Sequence, residues 1–502
     1  MALAELTLGE MLGSVAPEPL RELMVQGMAS DSRRVRAGDV FVALRGQRVD
    51  GADFIGDAAE AGAVAVLVDA DAMISYTGGV PVVRVRQLDK QLSELASRLY
   101  ADPSASLDVI GITGTNGKTT SALLIAQLLA ALGRKSAVMG TLGVGLIGDT
   151  FTPTGYTTPD PLATQGALAA LVDQGADTLA MEVSSHALVQ HRTRHVRITT
   201  GVFTNLTHDH LDFHGDLKAY GKAKARLLKA RGLRHAVINR DDPWCKSLRK
   251  KSERVEQVLS YSLSSPKADV YYESIVYSRD GISAVVCAGG ESASIRSRLL
   301  GDFNAGNMLA AISVALLRGY RLGEIAPLIS QLKPAPGRME QIALDAGQDV
   351  QVVVDYAHTP DALAKALRAL RRHADGSLWC VFGCGGDRDA DKRPVMGRVA
   401  EKAADYVLVT NDNPRRENPA DIAGQIVRGM YTPERCLVIP ERDKAIALAV
   451  QQAAAGDAVL IAGKGHEQVQ VFAEHEQPFS DREQALQALK ERQRKAGEES
   501  AS

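Results

Sequence analysis

The chain has 502 residues, room for about three domains of ordinary size, and its 45% hydrophobic and 24% charged residues are the balance of a globular protein. Its 58 basic and 60 acidic residues leave a net charge of −2, so no basic field marks it for nucleic acid or an anionic membrane surface. No basic segment followed by an apolar one opens the chain, and no run approaches ~18 apolar residues, so neither a leader nor a membrane span is expected and a cytoplasmic enzyme is the expected class.

The first section, residues 1–88, reads as a small α/β unit. A short amphipathic helix precedes Ala29-Ser-Asp-Ser-Arg33, then a turn at Ala37-Gly38-Asp39 leads into a strand over residues 40–44. A helix ends between Ala58 and Gly62, and strands follow at 63–68 and 81–85. Ser30, Ser32 and the polar pair Gln47-Arg48 read, from the residues alone, as turn positions.

The middle section, residues 89–335, holds the strongest signal. Val109-Ile-Gly-Ile-Thr113 is a buried parallel strand, Gly114-Thr-Asn-Gly-Lys118 a glycine loop, and the stretch from Ser121 to Leu132 a helix that Gly133 stops. Strand, glycine loop and helix N-terminus in that order make a phosphate cradle. Backbone N–H groups and the helix dipole face the anion, Lys118 adds charge, and the Thr119 hydroxyl can reach Mg²⁺. A strict P-loop would carry glycine at Ile112, so this is a shortened variant. Thr178-Leu-Ala-Met-Glu-Val183 is a second core strand, which delivers Glu182 near its C-terminal end, where such sheets bind ligands. A carboxylate there is placed to hold the Mg²⁺ of a nucleotide. The segment His208 to His214 packs three histidines and two aspartates into seven residues. It admits two readings: a zinc or iron hydrolase site, or a single imidazole such as His210 serving a Mg²⁺ site. Tyr220 to Leu228 reads as a helix with a basic face, and Gly301 to Met308 opens a helix whose Asn304 and Asn307 could meet a base or phosphate.

The last section, residues 336–502, follows a proline-glycine hinge containing Arg338. Strands at 352–354, 378–382, 406–409 and 458–462 alternate with helices, the pattern of a doubly wound, mostly parallel sheet. Each strand is followed by a polar loop: Asp355 to Pro360, Gly383 to Asp389, Asn411 to Glu417 and Gly463 to Glu467. Four such loops at one sheet edge make a binding site. Cys245, Cys287, Cys380, Cys384 and Cys436 are too scattered for a disulfide framework, and Cys380 and Cys384 read as buried thiols. Residues after about 490 are charged and small, and read as a frayed tail.

With these residues in place the chain resembles the Mur ligases over essentially its whole length, in particular the branch that adds the third peptide residue. The resemblance rests on nine motifs in order: Ser30-Asp-Ser-Arg33, Gly114-Thr-Asn-Gly-Lys-Thr-Thr120, Thr157-Thr-Pro159, Glu182-Val-Ser-Ser-His186, Thr207-His-Asp-His210, Pro336-Gly-Arg-Met-Glu340, Asp355-Tyr-Ala-His358, Asp412-Asn-Pro-Arg415 and Gly463-Lys-Gly-His-Glu467. It implies an α/β fold of three domains: a small N-terminal uridine domain (1–88), a central P-loop-type parallel-sheet ATPase domain (89–335) and a C-terminal Rossmann-like doubly wound domain (336–502).

The resemblance also implies residue roles. Ser30, Ser32, Gln47, Arg48 and Val49 would contact the uridine diphosphate, and Thr157, Thr158, Ser184, Gln190 and Arg192 the rest of the nucleotide sugar and its peptide. Gly114, Thr115, Asn116, Gly117, Lys118, Thr119 and Thr120, with Asn304, Asn307 and Arg338, would bind ATP. Thr119, Glu182 and His210 would hold Mg²⁺, joined by Lys224 as a carbamate, that is, as N6-carboxylysine. Arg388, Asp412, Asn413, Pro414, Arg415, Gly463 and Glu467 would receive the amino acid. The implied reaction is ATP-dependent ligation of meso-diaminopimelate to UDP-N-acetylmuramoyl-L-alanyl-D-glutamate through an acyl phosphate, by a monomer with no nucleic-acid or membrane partner. A folylpolyglutamate synthetase shares the loop and the ligase chemistry but needs no uridine domain. A P-loop motor or switch ATPase would need no small acceptor.

Overall fold

The computed structural model describes residues 6–46, 49–344 and 348–501, and within them the chain forms two compact units. The first comprises residues 1–270 and 309–321, the second residues 271–308 and 322–502.

The first unit opens with the expected short helix, Leu8–Leu12, which buries Leu8, Met11 and Leu12. Four parallel strands follow: β1 (Gly27–Ala29), β2 (Asp39–Ala43), β3 (Ala65–Asp69) and β4 (Val82–Val85), adjacent in chain order. A larger sheet is built from β5 (Asp108–Thr113), β6 (Ser136–Gly140), β7 (Gly143–Leu146), β8 (Thr178–Glu182), β9 (Ile198–Phe203), β10 (His235–Asn239) and β11 (Gln257–Ser262). Their order within this unit is β11-β10-β9-β5-β8-β6-β7, parallel except for β7. β5 lies inside the sheet with Val109, Ile110 and Ile112 fully buried, as its run of β-branched residues requires. β8 pairs with it in parallel register, Glu182 opposite Ile112. The loop after β5 and the carboxylate at the end of β8 therefore share one sheet edge.

The second unit contains an antiparallel set that the sequence reading passed over: β12 (Val270–Ser278), β13 (Gly281–Ala288) and β14 (Glu291–Ser297). Ala288 pairs with Glu291 across Gly289-Gly290, a two-residue turn with φ of 58° and 82° at its two glycines. That glycine pair is a hairpin signal legible in the sequence. The C-terminal sheet comprises β15 (Glu340–Ile342), β16 (Gln351–Asp355), β17 (Leu378–Phe382), β18 (Tyr406–Val409), β19 (Cys436–Val438) and β20 (Ala458–Ala462). Its order is β15-β16-β20-β17-β18-β19, parallel apart from the edge strand β15, so the doubly wound expectation holds. The four loop-bearing strands β16, β20, β17 and β18 are neighbours, and their C-terminal ends share an edge. Cys380 and Cys384 are buried as expected, and burial pushes the Cys384 thiol up to about 12.

The expected frayed tail is instead the last part of a helix, Asp481–Ala501. Arg492 anchors it, donating to both carboxylate oxygens of Asp349 (2.9 and 2.6 Å) and to the Val450 carbonyl (2.8 Å). Its charged residues also pair along the helix, as Arg494 does with Glu498.

Asp481, in the first turn of that helix, and Arg442, in the first turn of helix Arg442–Gln452, form a fully buried bidentate pair, both contacts 2.7 Å. Arg442 also donates to the Ala462 carbonyl (2.9 Å), pinning the end of β20 from which the 463–467 loop departs. Replacing one member strands the other charge in the interior. Asp481→Asn should therefore lower the unfolding free energy by about 3–5 kcal/mol, read from urea denaturation.

Candidate functional site

In the first unit the site grows from the loop after β5. Gly117 takes φ 84° and starts helix Lys118–Ala131, so that a left-handed residue turns the chain from loop into helix. Thr119 Oγ1 donates to Glu182 Oε2 (2.9 Å), while the Thr141 amide donates to Glu182 Oε1 (2.7 Å). The Glu182 carboxylate is only 1% exposed and is held by these donors. Behind it Gly140 leaves no room, because a Cβ there would overlap Glu182 Oε1. The hydrogen-bond chain continues: Thr158 Oγ1 donates to the Glu182 carbonyl (2.9 Å) and receives the Ser184 amide (3.0 Å). Arg192 Nη1 donates to the Thr158 carbonyl (2.7 Å), and Arg192 Nε and Nη2 hold Gln190 Oε1 (2.9 and 2.6 Å). Thr157 meets Thr141 hydroxyl to hydroxyl at 3.1 Å. Thr119, Glu182, Thr157, Thr158, Ser184, Gln190 and Arg192 are thus one connected group.

Two lysines converge on the same loop. Lys118 Nζ donates to the carbonyls of Gly114 (2.9 Å) and Thr115 (2.8 Å), and Lys224 Nζ donates to that of Gly114 (2.6 Å). Lys224 is 1% exposed and lies over the Tyr220 ring, 4.3 Å from its centroid. Burial first, then the Lys118 charge, push the Lys224 pKa down to about 6, and burial pushes the Tyr220 hydroxyl up to about 12. The basic face read for this helix, Leu217–Lys224, is therefore divided: Lys222 and the following Arg226 are exposed, and Lys224 points inward.

The histidine segment forms a ring cluster. His186 lies 4.9 Å from His210 and 5.6 Å from His214 between centroids, and His214 Nε2 meets Ser185 Oγ at 2.9 Å. His210 is exposed, its ring edge-on to Tyr220 at 6.1 Å and its Nε2 3.5 Å from Asp209. Among the described residues no three His, Cys, Asp or Glu side chains converge as ligands would, so the zinc or iron alternative finds no coordination sphere. The oxygens of Thr119 and Glu182, side by side at the loop, are the donor type a hard divalent cation takes.

Of the residues expected to meet uridine diphosphate, Ser30 is exposed, Ser32 half-buried and Val49 61% exposed; Gln47 and Arg48 lie outside the described residues. Asp31 between the two serines binds Arg33 in a bidentate pair, which pulls its carboxyl down to about 2.

In the second unit Asn304 and Asn307 are buried in the first turns of helix Asp302–Leu317, Asn304 Nδ2 donating to the Leu300 carbonyl and Asn307 Nδ2 to Asn304 Oδ1. Arg338 stacks on Tyr356, its guanidinium 4.6 Å from the ring centroid. At the sheet edge Asn413 Nδ2 donates to Glu467 Oε2 (2.8 Å), and Arg415, at φ 51°, donates from Nη1 to the Gly386 carbonyl (2.8 Å). Pro414 is buried between them, a Cβ added at Gly463 would come to 3.5 Å from Asp412 Oδ2, and Arg388 is exposed. Arg416 is exposed and pairs with Asp387, while Arg415 turns to the neighbouring loop.

Three family models match the chain in succession: Mur ligase family, catalytic domain over residues 24–100; Mur ligase middle domain over 112–315; and Mur ligase, glutamate ligase domain over 337–465. A UDP-N-acetylmuramoyl-L-alanyl-D-glutamate–2,6-diaminopimelate ligase of Pseudomonas aeruginosa is 46% identical over 479 residues, 95% of this chain and 98% of the relative. The chain belongs to the Mur ligase family. A solved structure of a ligase of that same name superposes with a TM-score of 0.74 at 35% identity, covering 97% of this chain and 99% of the other. A folylpolyglutamate synthase of Mycobacterium tuberculosis shares the fold, with a TM-score of 0.61 at 21% identity, but covers 74% of this chain and 92% of its own.

Two residues to which the sequence assigns no role stand out here. Lys464 and Arg393 are both fully buried beside the polar loops that follow β17, β18 and β20. Arg393 grips both oxygens of Glu417 (2.8 and 2.9 Å) and the Gly385 carbonyl (3.1 Å), tying the 383–389 loop to the 411–417 loop. A basic residue at the start of a polar helix reads as solvated, and its burial is set by a partner 24 residues away. Substituting Gly140→Ala would displace the Glu182 carboxylate. ATP affinity measured with a divalent cation present should fall about tenfold or more, and an unchanged affinity would contradict this arrangement.

Proposed function

We propose that this chain is a cytoplasmic, ATP-dependent ligase that joins meso-diaminopimelate to UDP-N-acetylmuramoyl-L-alanyl-D-glutamate in peptidoglycan precursor synthesis. The observation that carries the reading is the unbroken hydrogen-bond chain from Thr119 through Glu182 to Thr158, Ser184 and Arg192. It joins a phosphate-binding loop to polar groups suited to a second, anionic substrate. The identity of 46% over 95% of the chain with a ligase of that name supports it.

A carboxylate is a poor electrophile and must be activated before an amine can attack it. The terminal carboxylate oxygen of the D-glutamate attacks the γ-phosphorus of ATP, ADP leaves, and an acyl phosphate remains. The free amine of diaminopimelate then adds to the acyl carbon, loses a proton and expels phosphate, leaving an amide. The protein's part is to bring two anions together and neutralise them. In this reading Gly114 to Thr120 cradle the phosphates and Lys118 leaves its two loop carbonyls to meet the transferring phosphoryl group. Asn304, Asn307 and Arg338 contact the nucleotide, and residues 1–88 the uridine diphosphate, with Thr157, Thr158, Ser184, Gln190 and Arg192 on the sugar and peptide. Thr119 and Glu182 would hold Mg²⁺, with His210 and a carbamate on Lys224; when bound, the ion supplies positive charge to the phosphate oxygens.

Two tests follow from this division of roles. Diaminopimelate is lysine with a further carboxylate at its far end, and Arg415 and Arg388 are planar donors suited to that group. Phosphate release with the UDP-dipeptide should favour meso-diaminopimelate over L-lysine by about 10²–10³-fold in specificity constant, and Arg415→Ala should shrink the ratio. Equal constants for the two amino acids would defeat the assignment. The second test concerns Lys224, which sits buried against another lysine, where an anionic carbamate would relieve the repulsion. Lys224→Ala should lose ligation by about 10²-fold or more and recover part of it with added acetate or formate. Full activity without either additive would remove Lys224 from the scheme.

A further inference from the structure

Lys464 is a cation with no part in the scheme above, yet it is 0% exposed and sits amid the residues assigned to the amino acid. All three of its N–H groups are used. Nζ donates to Asn413 Oδ1 (2.9 Å), Glu467 Oε2 (3.2 Å) and the Val469 carbonyl (2.7 Å), and Asp412 Oδ1 stands 3.8 Å away.

We infer that Lys464 is the positioning residue of the amino-acid site, fixing Asn413 and Glu467 in one arrangement and countering the charge of Glu467 and Asp412. The inference rests on the proposed assignment of these loops to the incoming amino acid. Asn413 Oδ1 accepts from Lys464 and from the Val471 amide (3.1 Å), which fixes the orientation of its amide, so that Nδ2 points to Glu467 Oε2. Glu467 Oε2 thereby takes two donors, while Oε1 accepts none among the described residues. The Glu467 side chain is 31% exposed, so one carboxylate oxygen is tied to the protein and the other is left for a ligand ammonium. Asp412 Oδ1 is buried and accepts no hydrogen bond from the described residues, an acceptor that a ligand N–H would satisfy. Removing the lysine would leave two carboxylates facing each other and free the Asn413 amide to rotate. The effect falls on the loops after β18 and β20; the end of β20 itself is held separately by the Arg442–Asp481 pair.

The test is Lys464→Met, which keeps the volume and removes the charge, with Lys464→Gln as a second variant that keeps one donor. In the full chain the KM for meso-diaminopimelate should rise about tenfold or more while the KM for ATP stays within about twofold and the far-ultraviolet spectrum is unchanged. Lys464→Gln should fall between Lys464→Met and the parent. Unchanged KM values would overturn the inference, and so would a uniform loss across all three substrates. Failure of both variants to fold would assign Lys464 to stability alone and also overturn it. The parent enzyme, assayed alongside, separates the two ideas: if it does not ligate meso-diaminopimelate, the functional reading fails rather than the role of Lys464.

Discussion

The constraint on which the first unit depends is the parallel register between Asp108–Thr113 and Thr178–Glu182. With Ile112 opposite Glu182, the carboxylate emerges level with the glycine loop. A shift of one residue would turn Glu182 to the other face of the sheet. Because it is nearly inaccessible, the carboxylate needs donors, and it finds them in the Thr119 hydroxyl and the Thr141 amide. Those donors orient it, and Thr158 and Ser184 are arranged around the backbone that carries it.

Buried cations follow different rules in the two units. Arg442, Arg393 and Lys464 in the second unit each meet a carboxylate at 3.2 Å or closer, so their charge is offset where they sit. Each also ties together segments that the chain separates, and each lies at or near the edge where the four polar loops leave the sheet. Lys224 in the first unit is nearly inaccessible and shares a carbonyl with another lysine, and burial together with that like charge disfavours its ammonium despite the favourable Tyr220 ring face. That contrast is why a change of charge is proposed at Lys224 and not at Lys464.

Fold alone would not separate this chain from a folylpolyglutamate synthase, which shares the architecture over about three quarters of this chain. The N-terminal sheet, β1 to β4, is matched by a Mur ligase domain of its own over residues 24–100. Function is legible in the groups that converge, and the fold explains why they can.

The sequence by itself determined the local units. The β-branched run, two glycines and an apolar helix at 109–132 can form only a strand, a tight loop and a buried helix, and the alternation after residue 350 can form only a wound parallel sheet. These signals are periodic and short-range. The hairpin turn at Gly289-Gly290 is also written in the sequence, whereas the terminal helix is not, because its small and charged residues suit a solvated tail equally well. Burial of individual charges was beyond reach. Lys224 looks like any surface lysine until its acceptor, 110 residues away in the chain, is brought to it, and Lys464 until Asn413, 51 residues away, joins its near neighbours Glu467 and Val469. A lysine's environment is set by which strands become neighbours, and that is a property of the sheet, decided only in three dimensions.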